Sequence, residues 1–146
     1  MKNITKIAIV LAAVVIAAGC CPCRKGSGSS LPLEGTQWFA VKMDNKYLHT
    51  EPDSEAYTLL LQDGKVSGKG DCNRIMGSYA ISGNKSLIFE GVASTRMMCP
   101  DQATEDLFLR KLADVDAYSV DGNNLMLIGK GETVMVLSSS RVIKQK

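Results

Sequence analysis

Five cysteines, one histidine and one short acidic run are the residues of this chain whose types could do chemistry, and their spacing separates them into groups. Cys20, Cys21 and Cys23 crowd together near the N-terminus, whereas Cys72 and Cys99 stand far along the chain. A thiol can accept a lipid, ligate a metal, attack a carbonyl or pair in a disulfide, and the neighbours decide which. Zinc sites space their thiolates by two to four residues and need four ligands. Cys21-Pro22-Cys23 leaves one residue between its thiols, and His49 is remote, so no metal and no cofactor are expected. His49 lies in His49-Thr50-Glu51-Pro52-Asp53-Ser54-Glu55, which reads as an exposed loop among solvated acids. A general base needs a positioned partner and a pocket. Glu51, Asp53 and Glu55 lack calcium-loop spacing, no G-x-S-x-G elbow is present, and the glycines at 64, 68 and 70 have no downstream G-K-S/T. The pattern therefore predicts a non-enzymatic protein. The alternative is an unrecognised secreted hydrolase using His49 or a cysteine, and a Cys–His dyad on Cys72 or Cys99 would need a free thiolate.

The chemistry of Cys20 follows from what precedes it. Lys2 and Lys6 are followed by the uncharged run Ile7–Ala18 and then by Ala17-Ala18-Gly19-Cys20. A membrane span needs about 20 apolar residues, and this run is of signal-peptide core length instead. Small residues before a cysteine suit a peptidase cleft, and the order resembles a bacterial lipobox, with Ala17 where a larger aliphatic is commoner. The expectation is a lipoprotein signal peptide over 1–19, acyl chains (palmitate among them) on Cys20, and a flexible tether over 20–32. Two or more chains hold a protein firmly, whereas one is marginal. Arg24 to Ser30 carries no apolar side chain to bury, and the ten residues from Cys21 to Ser30 would reach roughly 15–20 Å. The expected address is the bacterial cell envelope. Cys21, rather than an aspartate, follows the acceptor, which favours the outer membrane in a diderm cell.

Cleavage also changes the charge. The chain holds 17 basic and 15 acidic residues, net +2, and loses Lys2 and Lys6 with the signal. The mature protein is then near neutral, without the basic stripe that a nucleic-acid partner requires. The partners expected are the membrane through the lipid anchor and an envelope protein or small apolar ligand, with the protein itself a monomer.

The elements that must position Cys72 and Cys99 are short strands separated by turn residues. Trp38–Val41, the alternating Tyr57, Leu59 and Leu61, Lys65–Gly68, Ser78–Ile81, Leu87–Phe89, Tyr118–Val120, Leu125–Ile128 and Val134–Leu137 are strand candidates. Asp63-Gly64, Ser82-Gly83-Asn84-Lys85, Asp121-Gly122-Asn123 and Gly129-Lys130-Gly131 turn between them. Pro100-Asp101 opens a helix of about 12–14 residues, with Asp101 as cap, Glu105 near the positive end and an apolar stripe of Phe108, Leu112 and Val115. Asp106, Arg110 and Asp114 are spaced for weak ion pairs. Trp38, Phe39, Met97 and Met98 read as core, with an exposed subset able to form a ligand surface. The fold class expected is mainly β (α+β): a compact antiparallel sheet or small barrel-like domain over 33–140 with one packed helix, and a tail over 141–146.

Several stretches together resemble the META domain, the family of the heat-shock lipoprotein HslJ. Leu33-Glu34-Gly35-Thr36-Gln37-Trp38 resembles its opening L-x-G-T-x-W. Gly70-Asp71-Cys72-Asn73 with Gly77-Ser78-Tyr79 resembles its G-G-C-N…G-x-Y core, with Asp71 where glycine is usual. Thr95-Arg96-Met97-Met98-Cys99 resembles T-x-M-x-C, and Glu105 and Phe108 match the following helix. The resemblance implies a compact β-rich domain with one helix, an association with envelope stress and no established catalytic activity. It also implies that Cys72 and Cys99 belong together. In an oxidising compartment they can form a disulfide worth roughly 3–4 kcal/mol on the chain-entropy account, and two buried free thiols are the other reading.

Overall fold

Turn chemistry lays out the strands. In the computed structural model, which describes residues 29–51 and 54–140, Asp63 and Gly64 both have positive φ (51° and 73°). That is the geometry a two-residue hairpin needs to match strand twist. It joins β3 (Thr58–Gln62) to β4 (Lys65–Lys69) in register, Gln62 opposite Lys65. The chain otherwise runs through β1 (Gln37–Met43), the two-residue β2 (Lys46–Tyr47), β5 (Arg74–Ser82), β6 (Ser86–Ser94), α1 (Gln102–Ala113), β7 (Ala117–Asp121), β8 (Asn124–Gly129) and β9 (Glu132–Ser138). Cys20, Cys21, Cys23, the signal segment and the 141–146 tail lie outside the described residues.

All nine strands are antiparallel in one sheet of order β2-β1-β3-β4-β5-β6-β7-β8-β9, and β1 also pairs with β9, so the sheet closes in a ring. The mainly β expectation with a single helix holds. Alternation puts Trp38, Leu59, Leu61, Leu125, Leu127 and Leu137 fully inside. Phe108 and Leu112 of the helix enter the same core, and Val115 joins them just beyond the helix end. Tyr57 meets Phe108 edge-on, ring centres 5.5 Å apart.

Three expectations need correction. Met97 and Met98 are not core: they are 55% and 98% exposed, because they follow the end of β6 in an irregular segment held by its backbone. Phe39 is only half-buried. Arg110 pairs with neither Asp106 nor Asp114 among the described residues. Asp106 accepts a bond from Gln102, and the helix ion pair is Lys111 with Asp44, at 2.7 Å.

The ring is uneven. β5 and β6 pair along most of their length, whereas β6 and β7 share one register pair, Ser86 with Ala117. A bulge lies where β6 passes Gly77, at Gly91 (φ 58°), and it bends β6. The helix packs across the half of β6 that β7 leaves uncovered.

Close backbone approach explains Gly68 and not Gly83. A Cβ on Gly68 would lie 2.0 Å from the Thr58 carbonyl oxygen, whereas one on Gly83 would meet nothing within 4 Å. Gly68→Ala should therefore cost about 1–3 kcal/mol or more in denaturant unfolding, and Gly83→Ala should stay within about 0.5 kcal/mol of wild type.

Candidate functional site

The apolar stripe of α1 contains a carboxylate. Glu105 lies on the same face as Phe108 and Leu112 and is 1% exposed. An isolated buried carboxylate is costly unless hydrogen-bonded. One segment satisfies this one, the loop Gly70–Asn73 between β4 and β5, while Cys99 of the segment between β6 and α1 lies against it. Glu105 Oε2 accepts the backbone N–H groups of Cys72 (3.3 Å) and Asn73 (3.2 Å), and Oε1 accepts Asn73 Nδ2 (2.6 Å). A Cβ on Gly70 would lie 2.6 Å from Oε2, so glycine is what lets the loop close over the carboxylate.

Asn73 is the second centre. It is 1% exposed, and its Oδ1 accepts the Thr95 hydroxyl (2.8 Å) and the Met97 N–H (2.7 Å). Its Nδ2 also faces the Met97 carbonyl (3.1 Å) and Cys99 Sγ (3.0 Å). Acceptors on one side and donors on the other fix the amide's orientation. Cys72 and Cys99 are joined in a disulfide, Cα atoms 5.5 Å apart, which ties the two segments covalently over a separation of 27 residues. Of the two readings of these cysteines, the disulfide is the one realised. Cys99 Sγ lies 3.3 Å from Glu105 Oε2, a contact and not a bond, since a disulfide sulfur carries no hydrogen.

Asp71, where the motif has glycine, keeps an ordinary backbone conformation and accepts the Asp101 N–H through Oδ2 (3.0 Å), linking the loop to the helix start. Asp101 caps the helix as expected, accepting the Thr104 N–H (3.1 Å). The hydroxyl and backbone of Thr104 hold its carboxyl below the usual range. Beside this cluster the Tyr57 hydroxyl is buried and makes no hydrogen bond of good geometry among the described residues. Burial first, then the charges of Asp71, Asp101 and Glu105, push it well above the ordinary phenol value, with Thr104 opposing weakly.

The other motif residues frame the ring. Trp38 Nε1 donates to the Leu33 carbonyl (2.9 Å), Thr36 Oγ1 to the Pro32 carbonyl (2.7 Å), and Gly35 takes φ 74° between them. Gly77 sits tight against Val92, and the Tyr79 hydroxyl bonds Glu34. His49 is exposed on the loop after β2, and no hydrogen bond or ion pair joins it to Cys72, Cys99 or Glu105. The burial of Glu105 and the central place of Asn73 were not foreseen. The available signal was spacing: Glu105, Phe108 and Leu112 fall at i, i+3, i+7.

A separate groove of about 500 Å³ runs between the bent half of β6 and the helix. Phe89, Val92, Leu109 and Ala113 line it, with Arg96 on its wall. Arg96 is exposed and has no ion-pair partner among the described residues.

Glu105→Gln should cost about 2–4 kcal/mol in equilibrium unfolding, because an amide cannot accept at all three donors. Tyr57→Phe should be neutral or stabilising by up to about 1 kcal/mol, because it removes an unpaired buried hydroxyl. The raised Tyr57 value also fixes a sign. Its contribution is fully present below the ordinary value of 10.0 and is lost as pH rises beyond it, so Tyr57→Phe should flatten the alkaline loss of stability measured by melting temperature.

The chain has relatives among known proteins. It is similar to a protein from Burkholderia xenovorans solved by NMR, 28% identical with TM-score 0.58 over 73% of this chain and 82% of that one. A second NMR structure is 22% identical, TM-score 0.57, covering 73% of this chain and 90% of that one. A DUF4847 family protein from Bacteroides vulgatus ATCC 8482 is 15% identical, TM-score 0.54, covering 78% and 96%; these last two share the fold alone. No curated protein matches the chain. The META domain profile matches residues 31–141, which span the sheet, the disulfide and the Glu105–Asn73 network, and the chain therefore belongs to the META domain family.

Proposed function

We propose that this is a non-enzymatic binding protein of the bacterial envelope, anchored by lipid on Cys20 and taking a small apolar anion in the groove between β6 and α1. The groove is the observation that carries this reading. Its volume of about 500 Å³ falls in the range of small-molecule sites, and Phe89, Val92 and Leu109 offer apolar contact. Arg96 supplies a cation without an ion-pair partner among the described residues, so charge complementarity selects an amphiphile with a carboxylate or similar head.

The Glu105–Asn73 network supports the non-enzymatic side. Each oxygen of Glu105 and of the Asn73 amide is engaged by protein donors, and both sulfurs are bonded to each other. A hydrolase using Cys72 or Cys99 would need a free thiolate. The lipid anchor rests on the Lys2–Cys20 pattern, and the stress-associated role rests on the family. No described helix is long and apolar enough to cross a membrane.

Titration of the folded domain with a medium-chain fatty acid should give saturable binding that Arg96→Gln weakens roughly tenfold, or about 1.4 kcal/mol. Equal binding by wild type, Arg96→Gln and a groove-filling Ala113→Trp would sink the groove as the site. Mass spectrometry of membrane-extracted protein should find acyl mass on an N-terminal Cys20, and an unacylated mature N-terminus would remove the anchor.

A further inference from the structure

We propose that, once the Cys72–Cys99 disulfide is reduced, Cys72, Cys99 and Glu105 form a site for a thiophilic divalent cation of the zinc class. The inference is independent of the groove and of the lipid anchor. Sequence spacing alone does not assemble such a site, since the two cysteines are 27 residues apart. The fold supplies one. The two sulfurs and a Glu105 carboxylate oxygen lie within 4.8 Å of one another.

The dimensions suit a tetrahedral centre. Metal–sulfur bonds of about 2.3 Å and metal–oxygen bonds of about 2.0–2.2 Å set ligand atoms roughly 3.5–3.8 Å apart. Cys99 Sγ already lies 3.3 Å from Glu105 Oε2. Only the sulfurs are too close, because they are bonded, and side-chain rotation on Cα atoms 5.5 Å apart lets them part. A carboxylate offers about four lone-pair positions, and three N–H donors occupy three here, two on Oε2 and one on Oε1, leaving one on Oε1 of the same carboxylate for a cation. Asn73 Nδ2, 3.0 Å from Cys99 Sγ, is placed to donate to a thiolate there, the outer-sphere support that metal sites use. Both cysteines are half-buried, so an ion can enter and a water can complete the fourth position.

The gate is a balanced two-electron step. An external dithiol is oxidised to its disulfide, the Cys72–Cys99 bond breaks, and the two electrons and two protons that the dithiol gives up pass to the Cys72 and Cys99 sulfurs, which become thiols. Cation binding then releases both thiol protons to solvent. In the oxidised protein neither sulfur is a thiolate, so the site is closed.

The test uses the chain from residue 20 onward with Cys20, Cys21 and Cys23 replaced by serine, leaving Cys72 and Cys99 as the sole thiols. After anaerobic reduction and removal of the reductant, Co²⁺ should produce a thiolate charge-transfer band in the near ultraviolet that Zn²⁺ abolishes. Zn²⁺ should raise the melting temperature of the reduced protein and leave the oxidised protein unchanged. If reduction unfolds the domain, Zn²⁺ should restore its circular dichroism. Cys72→Ser should abolish the band, and Glu105→Gln should weaken Co²⁺ binding more than about tenfold. Two titratable free thiols with neither a band nor a zinc-dependent gain in folding would overturn the proposal. So would equal binding by the oxidised chain, or by Cys72→Ser.

Discussion

The domain is organised around one desolvated carboxylate. Glu105 stands in a helix face that otherwise enters the core, and it is kept there because the loop 70–73 presents backbone N–H groups to it. The dependence runs both ways. Gly70 can have no side chain because Glu105 occupies that space, and Asn73 is fixed by bonding Glu105 on one side and the backbone of Met97 on the other. Three chain segments remote in sequence thus share a set of short polar contacts, and the Cys72–Cys99 bond fastens two of them covalently. Each contact alone contributes about 1–3 kcal/mol, but a buried polar network loses more than one contact when any member goes.

That constraint also accounts for the uneven ring. The segment 95–101 is held by Asn73, Cys72 and Asp71, so the chain leaving β6 must turn toward the β4–β5 loop before the helix begins. The helix therefore enters beside β6, where another strand would otherwise continue, and β6 and β7 meet at a single register pair. Closure is left to β1 and β9, whose pairing from Phe39 to Met43 seals the other side. The groove along β6 is a consequence: a bulged strand and a helix leave a channel between them that two regularly paired strands would not.

Hairpin positions were legible because turn chemistry is local. Asp63-Gly64 and the Gly-containing turns fixed where strands end, and alternation of Leu59 and Leu61 fixed which face is inside. The helix was legible from Asp101 and from Phe108 and Leu112. The site was legible only in part. Cys72 and Cys99 stood out by type, but a buried glutamate reads in sequence as an ordinary first-turn acid, because burial depends on a loop 33 residues earlier in the chain. Met97 and Met98 misled for the related reason that apolarity predicts burial only where regular structure directs the side chain. Here the backbone of Met97 is anchored, and its side chain is left in solvent.

The residues that identify the family and the residues that line the groove are almost separate sets. Gly70, Cys72, Asn73, Thr95, Cys99 and Glu105 spend their polar atoms on one another. A group so engaged is poorly suited to general acid–base work, which requires a side chain able to exchange a proton with a reacting molecule at hydrogen-bond distance. Phe89, Val92, Leu109, Ala113 and Arg96 belong to no such network. Exchanging one of these changes the shape or charge of the groove and leaves the Glu105 contacts intact. The motif is then a device for building the frame.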